Sequence, residues 1–343
     1  MSVLYLHIGM AKTGTTSIQR FLTRKQVLLD RTGFRYIREG RIGIVGGHHC
    51  LAWAVTAQDD NRVHCKQFSL DALSAELDAY KGKVAILSSE EFSLLSFKQL
   101  ALDRLFEILS GYDIRVVVYV REQAEFFNSF YVELVSDLRS VPATADAVMA
   151  WASEERYNYS HWFEPWRKCS GGNLVVRPFD PETLLGGSVV SDFVSTIGAD
   201  HLLNASAHFQ EQNTSLTNKQ IAALKGIISL LEQEGLSRRN VPANGWLSLK
   251  RVALGLVNDL KSLAGEPYWG LDADVVATVR SRFRAANDAF FENYYGRPFQ
   301  FASLSKVKRV NEIEYGELDN GTRYILESAI SSEMEKLESY GGL

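Results

Sequence analysis

The feature that most constrains this chain is a glycine-containing turn between an apolar segment and a helical one, residues 7–19, HIGMAKTGTTSIQ. The residues just before it, 2–8, are apolar and extended in character, so they predict a buried strand. Gly9 and Gly14 interrupt this pattern, and from Thr15 onward apolar residues recur at helical spacing. A strand that passes through a tight turn into a helix is the beginning of a βαβ unit.

The same turn has the chemistry of an anion-binding loop. The first amides of a helix have no intrahelical partners, and the helix dipole puts partial positive charge at that end. Glycines let the backbone close around an anion, and Lys12 adds a full positive charge. Thr15, Thr16 and Ser17 add hydroxyl donors. The sequence therefore predicts a cradle for a phosphate or sulfate group, the alternative being an ordinary βα turn that contains lysine and threonine.

The loop differs from the nucleotide-hydrolase pattern GxxxxGK[ST]. That pattern places lysine directly after the second glycine and a Mg²⁺-binding Ser or Thr after the lysine. Here Lys12 stands two residues before Gly14. The spacing disfavours an ATP or GTP hydrolase. It also weighs against a P-loop-type small-molecule kinase, which we keep as one alternative function. A protein that binds a nucleotide without catalysing a reaction is a second alternative function.

Further along the chain, strand patterns alternate with helical ones. Strands are predicted at residues 83–88, 114–120 and 173–176, and the β-branched run at 114–120 is typical of a strand buried on both faces. This alternation predicts an α/β fold with a mostly parallel sheet flanked by helices. After residue 215 the pattern is helical. We expect a single domain with a nucleotide-binding core at 1–215 and a helical extension at 216–343, two separate domains being the alternative.

Composition and charge exclude several classes of protein. The 343 residues are 46% hydrophobic and 23% charged, which is typical of globular chains and excludes a largely disordered one. Thirty-seven basic residues against 41 acidic ones give a net charge of −4, so no nucleic-acid partner is expected. No apolar segment is long enough for a transmembrane span. The first apolar run is too short for a secretory signal, so a cytoplasmic location is the default expectation.

The chain has three cysteines, Cys50, Cys65 and Cys169. They are widely spaced and form no CxxC pair, which argues against a disulfide framework or a zinc site. We expect three reduced thiols that pack as small apolar side chains.

On these motifs the chain resembles a known family. KTGTTSIQ is similar to the 5′-phosphosulfate loop of the sulfotransferases that use 3′-phosphoadenosine 5′-phosphosulfate (PAPS), which have a P-loop-like fold. The family commonly has proline where this chain has Ala11. VVVYVREQAEFFNSFY resembles a second family element, in which Arg121 and Ser129 have the spacing of a 3′-phosphate-binding pair. SSEEF, residues 88–92, resembles bacterial, carbohydrate-type members. The specific similarity covers about residues 1–220.

The resemblance implies a function and assigns roles. It implies transfer of a sulfuryl group from PAPS to a hydroxyl acceptor, a carbohydrate or glycolipid, with 3′-phosphoadenosine 5′-phosphate (PAP) as the product and no metal ion. Lys12 would stabilise the leaving phosphate, and Arg121 with Ser129 would hold the 3′-phosphate. The residues expected to hold the 5′-phosphosulfate are those of the loop: Lys12, Thr13, Gly14, Thr15, Thr16 and Ser17.

The base that accepts the proton of the acceptor hydroxyl has several candidates. Glu90 and Glu91 follow a predicted strand, where ligand sites of α/β folds form, and the resemblance favours Glu90. His48 and His49, in GGHHCLAW, are the competing bases. His7 lies inside the first strand, so we expect it to be packed in the core.

Aromatic residues are concentrated between positions 151 and 166. Such residues either pack in a core or offer faces on which sugars stack, and helical spacing favours the core. The set consists of Trp151, Tyr157, Tyr159, Trp162, Phe163 and Trp166.

Overall fold

The computed structural model describes residues 1–10, 12–43, 45–56, 65, 67–204, 209, 215–296, 298–302 and 308–339. The chain divides into two compact units, each built from three chain segments. The first consists of Met1–Glu122, Glu155–Gln212 and Phe283–Lys306, and the second of Gln123–Glu154, Asn213–Arg282 and Val307–Leu343. The single domain with a boundary at residue 215 that the sequence suggested stays a prediction.

The first unit contains a five-stranded parallel sheet of order β2–β3–β1–β4–β5. The strands are β1 (Ser2–His7), β2 (Phe34–Tyr36), β3 (Val84–Ser88), β4 (Tyr112–Val120) and β5 (Leu174–Pro178). The predicted α/β fold is confirmed, as are the four predicted strands. The short β2 was missed because three residues carry no periodicity, and its central Arg35 is buried against Asp30 and Glu76.

Strand β1 lies in the middle of the sheet, between β3 and β4. On one side of β1 the sheet continues with β3 and then β2, and on the other side it continues with β4 and then β5. In open parallel sheets, ligands bind beyond the carboxyl ends of the strands where the direction of extension reverses. The loop that follows β1 lies at this position.

Helices follow the strands in the alternating pattern that the sequence predicted. Their bounds in chain order are α1 (Thr15–Arg24), α2 (Gln26–Arg31), α3 (His49–Val55), α4 (Leu70–Ala79), α5 (Gln99–Ile108), α6 (Gln123–Ser136), α7 (Thr144–Ala152), α8 (Tyr159–Cys169), α9 (Val189–Thr196), α10 (Asn218–Gln233), α11 (Ala243–Asp259), α12 (Ala273–Tyr295) and α13 (Asn320–Ser339). A 3₁₀ helix, Glu90–Phe97, follows β3 directly. None of the helices in the described part of the chain is long and apolar enough to cross a membrane.

One face of the sheet is covered by α1 and α9. Phe21 of α1 and Phe193 of α9 are fully buried and belong to one cluster with Tyr5, Val117 and Tyr119 of the strands. Alternate residues of a strand point to opposite faces, so the intervening residues of β1 and β4 point to the other face. These contacts fix the direction of α1. Its first turn follows the loop after β1 that contains Lys12 and Gly14, which we call the anion-binding loop for its predicted role.

The regular elements in the described residues of the second unit are helices, and an isolated β-bridge joins Thr217 to Pro267. Its core contains one face of α10, Ile221, Leu224, Ile228 and Leu231, together with residues of α6, α7, α11 and α13. The helical C-terminal half is therefore confirmed. Helix α10 begins with a capping box in which Thr217 and Gln220 satisfy each other's backbone amides.

The clustered aromatic residues lie in the first unit, except for Trp151, which belongs to the second unit and is half-buried. Five of them are buried, namely Tyr157, Tyr159, Trp162, Phe163 and Trp166. The nitrogens of both tryptophan rings donate to Ser93 and Ser96 of the 3₁₀ helix, at 2.9 and 2.8 Å. Because these faces are covered, they do not stack on a sugar, and the core interpretation is confirmed for them.

The expectation of three reduced thiols is wrong for two of the cysteines. Cys50, in the first turn of α3, forms a disulfide with Cys65, and only Cys169 is free. The sequence separation of 15 between the two cysteines matches no short cysteine motif. Sequence spacing alone could not predict this pair.

Candidate functional site

Three loops meet at the carboxyl edge of the sheet in the first unit. His7 of β1 is paired in register with Ser88 of β3 and with Val117 of β4. The loop after β1 holds Lys12, and Arg121 follows β4. Arg121 Nη1 donates to the carbonyl oxygen of Lys12 at 3.2 Å, so the first and third loops are in direct contact.

The loop after β1 has the backbone of an anion cradle. Lys12 is exposed and has φ 63°, in the left-handed region that non-glycine residues rarely adopt. Such strained residues concentrate at ligand-binding sites. Gly14 has φ 78° and is the N-cap of α1, and no side chain of the described residues caps this helix. The first turn also lacks an acidic side chain, so the partial positive charge of the helix end is not neutralised there.

Thr15 adds a buried donor that has no hydrogen-bond partner in the described part of the chain. The residue is only 5% exposed, and its Oγ1 makes no hydrogen bond to any described residue. An ideal Cβ on Gly9 would lie 2.1 Å from this Oγ1. Glycine at position 9 therefore leaves the room that the Thr15 hydroxyl occupies. A buried, unpaired hydroxyl costs free energy unless a ligand or water satisfies it, and a phosphate or sulfate oxygen fits this donor set.

The remaining hydroxyls of the loop divide by exposure. Thr16 is exposed, as is Lys12, while Thr13 is fully buried and its Oγ1 donates to the carbonyl of Met10 at 2.6 Å. Ser17 is also buried, and its amide donates to the carbonyl of Gly14. Lys12 and Thr16 thus face outward, whereas Thr13 holds the loop's own shape.

The two residues predicted to hold the 3′-phosphate belong to different units. Arg121 is half-buried in the first, with its guanidinium over the ring of Phe179 and its carbonyl accepting from the hydroxyl of Tyr159. Ser129 lies in the middle of α6 in the second unit and is half-buried. Arg121 therefore stands beside the anion-binding loop, and the role of Ser129 stays a prediction.

Glu90 stands at the start of the 3₁₀ helix after β3, and its side chain is 38% exposed. Its Oε2 accepts from Nε2 of Gln19, on α1, at 3.3 Å, and Nε2 of His49 lies 3.8 Å from its Oε1. Glu91 is half-buried, and its amide donates to Oγ of Ser89 at 3.1 Å. Of the two carboxyl groups, only Glu90 is joined to the helix that follows the anion-binding loop.

His48, the histidine predicted as an alternative base, is bound within the protein. It is fully buried, its Nδ1 accepts from the amide of Ser88 at 3.1 Å, and its Nε2 donates to the carbonyl of Ile37 at 2.8 Å. Burial, assisted by the cation of Arg41, lowers the pKa of His48 to about 3. A side chain with both nitrogens engaged and no access to solvent fits a structural role, and the neighbouring His49 is the histidine that reaches Glu90.

His7 is a core histidine, as expected. It is fully buried, its Nδ1 lies 2.8 Å from Oγ of Ser88, and its ring packs against Tyr119 and Phe193. Burial lowers its pKa to about 3. His7 is therefore neutral at ordinary pH and joins the ends of β1 and β3.

Sequence reasoning missed Gln19 and Gly47. Gln19 lies four residues after Thr15, so it shares the face of α1 that begins at the anion-binding loop, and this spacing was the available signal. Its Nε2 also lies 3.3 Å from Oγ of Ser88. An ideal Cβ on Gly47 would lie 2.6 Å from Nε2 of His49 and 3.0 Å from Nε2 of Gln19. Glycine at position 47 therefore leaves room for both side chains to reach Glu90.

No group of three or more His, Cys, Asp or Glu side chains that could hold a metal ion occurs among the residues that the structure describes. The chemistry of the site, as observed, consists of Lys12, Arg121, hydroxyl and amide donors, and one partly exposed carboxyl group.

Comparison with known proteins adds little about activity. No protein-family model matches the chain, and no solved structure matches it. A protein from Archaeoglobus fulgidus, described as an uncharacterized protein, is 24% identical over 254 residues. The match covers 74% of this chain and 64% of that protein, so the chain spans less than two thirds of its relative's length.

Proposed function

We propose that the protein is a PAPS-dependent sulfotransferase that moves a sulfuryl group to a hydroxyl acceptor. The observation that carries the proposal is the loop after β1, where exposed Lys12 and the buried hydroxyl of Thr15 flank the N-terminus of α1. No described side chain caps this helix end, and no described residue bonds to that hydroxyl. A phosphosulfate group supplies the negative charge and the acceptor oxygens that these donors lack. The similarity of KTGTTSIQ to the family's loop supports the same assignment.

In the proposed reaction the loop stabilises the leaving group and Glu90 acts as the base. The acceptor oxygen attacks sulfur, the bond between sulfur and the phosphate oxygen breaks, and PAP leaves with that electron pair. Lys12 and the amides at the start of α1 stabilise the charge that grows on the leaving phosphate. Glu90 takes the proton of the acceptor hydroxyl, which its partial exposure and its contact with Gln19 on α1 allow. Fixed donors replace the Mg²⁺ of phosphoryl transfer.

Arg121 would bind the 3′-phosphate of the nucleotide. A guanidinium offers a planar pair of donors that suits phosphate oxygens, and its contact with the carbonyl of Lys12 supports a single nucleotide site with the loop. The resemblance adds Ser129. The acceptor that the resemblance implies is a carbohydrate or glycolipid.

The cytoplasmic location expected from the sequence stays a prediction, and the disulfide weighs against it. Disulfides persist in oxidising compartments and are rare in the reducing cytoplasm of most cells. The Cys50–Cys65 bond therefore favours a compartment in which thiols are oxidised.

Thermal unfolding with nucleotides tests the proposal. The purified protein is melted alone, with PAP, with AMP, and with ATP plus Mg²⁺. A ligand at 100 times its Kd stabilises a protein by about 2.7 kcal/mol, so PAP should raise the melting temperature clearly and AMP much less. A shift with ATP plus Mg²⁺ but none with PAP would favour the small-molecule kinase instead. If PAP binds, conversion of PAPS to PAP with a panel of sugar and glycolipid acceptors tests transfer itself.

A further inference from the structure

Ser89, His49 and Glu90 form a short chain of polar contacts beside the anion-binding loop. Oγ of Ser89 lies 2.7 Å from Nδ1 of His49, and Nε2 of His49 lies 3.8 Å from Oε1 of Glu90. The first distance is that of a hydrogen bond. The second is an ion-pair distance, longer than a hydrogen bond. Catalytic contacts of this kind are commonly long without substrate and shorten in the complex.

Donation by the Ser89 hydroxyl would fix which nitrogen of His49 carries hydrogen. Ser89 is fully buried, and its Oγ already accepts from the amide of Glu91. The hydroxyl keeps its own proton to donate, and among the described residues Nδ1 of His49 is the acceptor within reach. A neutral imidazole that accepts at Nδ1 carries its proton on Nε2. That proton faces the carboxyl group of Glu90.

The ring of His49 is held in this orientation from several sides. It stacks on Trp53, one turn further along α3, with ring centroids 5.7 Å apart. Gly47 leaves the space that Nε2 occupies. The next residue, Cys50, is tied to Cys65 by the disulfide, which anchors the first turn of α3.

A serine, a histidine and an acidic residue also form the catalytic triad of enzymes with a serine nucleophile. Here the burial of Ser89 excludes that role. Ser89 is completely buried, so its hydroxyl does not meet a substrate. Exposure increases along the chain of contacts to 18% for His49 and 38% for Glu90. The reacting end of the chain is therefore Glu90.

We propose that His49 is a positioning residue for Glu90, donating from Nε2 to the carboxylate so that it faces the acceptor hydroxyl. This inference rests on the proposed function, in which Glu90 is the base. Gln19 and His49 each contact one carboxylate oxygen, and a carboxylate has about four lone-pair sites, so sites stay open for the acceptor proton. That proton moves to Glu90 and then to solvent, and His49 keeps its own.

Two replacements of His49 separate donation from packing. His49→Phe keeps a ring to stack on Trp53 but cannot donate, whereas His49→Gln keeps a donor without the ring. Hydrolysis of PAPS to PAP and sulfate, with water as the acceptor, provides a rate without an identified acceptor. We expect His49→Phe to lower kcat about 10- to 100-fold, with the Kd for PAP unchanged, and His49→Gln to restore much of the rate. Wild-type turnover in His49→Phe, or equal losses in both variants, would overturn the inference.

The tautomer of His49 gives a second measurement that does not depend on turnover. Imidazole ¹⁵N shifts, recorded with the ring neutral, should show the proton on Nε2 in the wild type and a mixture of tautomers in Ser89→Ala. A proton on Nδ1 in the wild type would overturn the inference. If the wild-type protein fails to bind PAP, the proposed function fails, and the ¹⁵N spectrum still decides whether Ser89 and His49 are arranged as inferred.

Discussion

Gln19 connects the helix of the anion-binding loop to the carboxyl group after the neighbouring strand. Its Nε2 lies 3.3 Å from Oε2 of Glu90 and 3.3 Å from Oγ of Ser88. Because Gln19 is almost completely buried, this amide has little freedom to turn elsewhere. Gln19 thus links the helix after the proposed nucleotide-binding loop to Glu90, the proposed base.

Replacement of Lys12 by alanine should remove transfer and preserve the fold. The side chain is exposed, so its loss leaves no cavity, and loss of one donor to developing negative charge costs about 10²- to 10³-fold in kcat. PAPS turnover and the melting temperature measure the two effects. Lys168→Ala, which removes a lysine that is 71% exposed on α8, is the matched control and should behave as wild type. A Lys12→Ala variant with wild-type turnover would refute the role.

Glutamine in place of Glu90 should separate the two acidic candidates. Glu90→Gln keeps the size of the side chain and an oxygen for Gln19, but the amide does not accept the acceptor's proton. We expect turnover to fall about 10²- to 10⁴-fold with PAP binding retained. Glu91→Gln is the adjacent control and should keep most of the activity. The opposite result would move the base to Glu91, and no loss in either variant would remove both.

Arg121 should determine the preference for PAP over AMP. A charge-assisted hydrogen bond to phosphate contributes about 1.5–3 kcal/mol, or about 10- to 100-fold in affinity. Titration calorimetry with the two nucleotides should show that Arg121→Ala loses most of this preference and that Ser129→Ala loses less. Arg121→Lys should be intermediate, because lysine lacks the planar pair of donors. An unchanged preference in Arg121→Ala would contradict the assignment.

Sequence predicted the parts of this protein that depend on local pattern. The strands at 83–88 and 114–120 and the loop at 7–19 follow from hydrophobic runs and glycines, and all were found within a few residues. The division into units was not predictable in this way, because each unit combines segments that are distant along the chain. Periodicity describes single elements, whereas the assembly of distant segments depends on packing between them.

The candidate site shows the same division between local and distant information. Lys12 and the hydroxyls of its loop are adjacent in sequence, so their pattern was visible. Gln19 and His49 reach Glu90 from elements 71 and 41 positions away, and nothing in their local sequence indicates that contact. As sequence neighbours, His48 and His49 were equivalent candidates. In the structure His48 is fully buried, whereas His49, the next residue, lies beside Glu90.

Removal of the disulfide should lower the stability of the protein. In the chain-entropy model, closing a loop of about 15 residues stabilises a fold by about 3 kcal/mol. The Cys50→Ala/Cys65→Ala double variant should therefore show a urea midpoint below that of the wild type, and a reductant should lower the wild-type midpoint in the same direction. Cys169→Ala is the control, since Cys169 is free. A wild-type midpoint that does not respond to reductant would show that the bond is absent or makes no contribution.

His7 and His48 should make the protein less stable in mild acid. Burial lowers the pKa of each to about 3 in the folded state, from 6.5 when unfolded. Below about pH 6.5 the unfolded chain therefore binds protons that the folded chain does not, so stability is complete above this pH and falls as pH decreases toward 3. Each histidine contributes about 1.4 kcal/mol of loss per pH unit in that window.

The variant His48→Asn isolates one of these contributions. Asparagine has an acceptor and a donor but does not titrate, so the variant should be less stable than wild type at neutral pH and yet lose less stability between about pH 7 and pH 5. Urea unfolding at several pH values in this window measures both the stability at neutral pH and its decrease with falling pH. His161→Asn, the same substitution at an exposed position of α8, is the control. A His48→Asn variant with the wild-type slope would show that His48 is not held neutral by burial, and its place as a structural residue beside His49 would be lost.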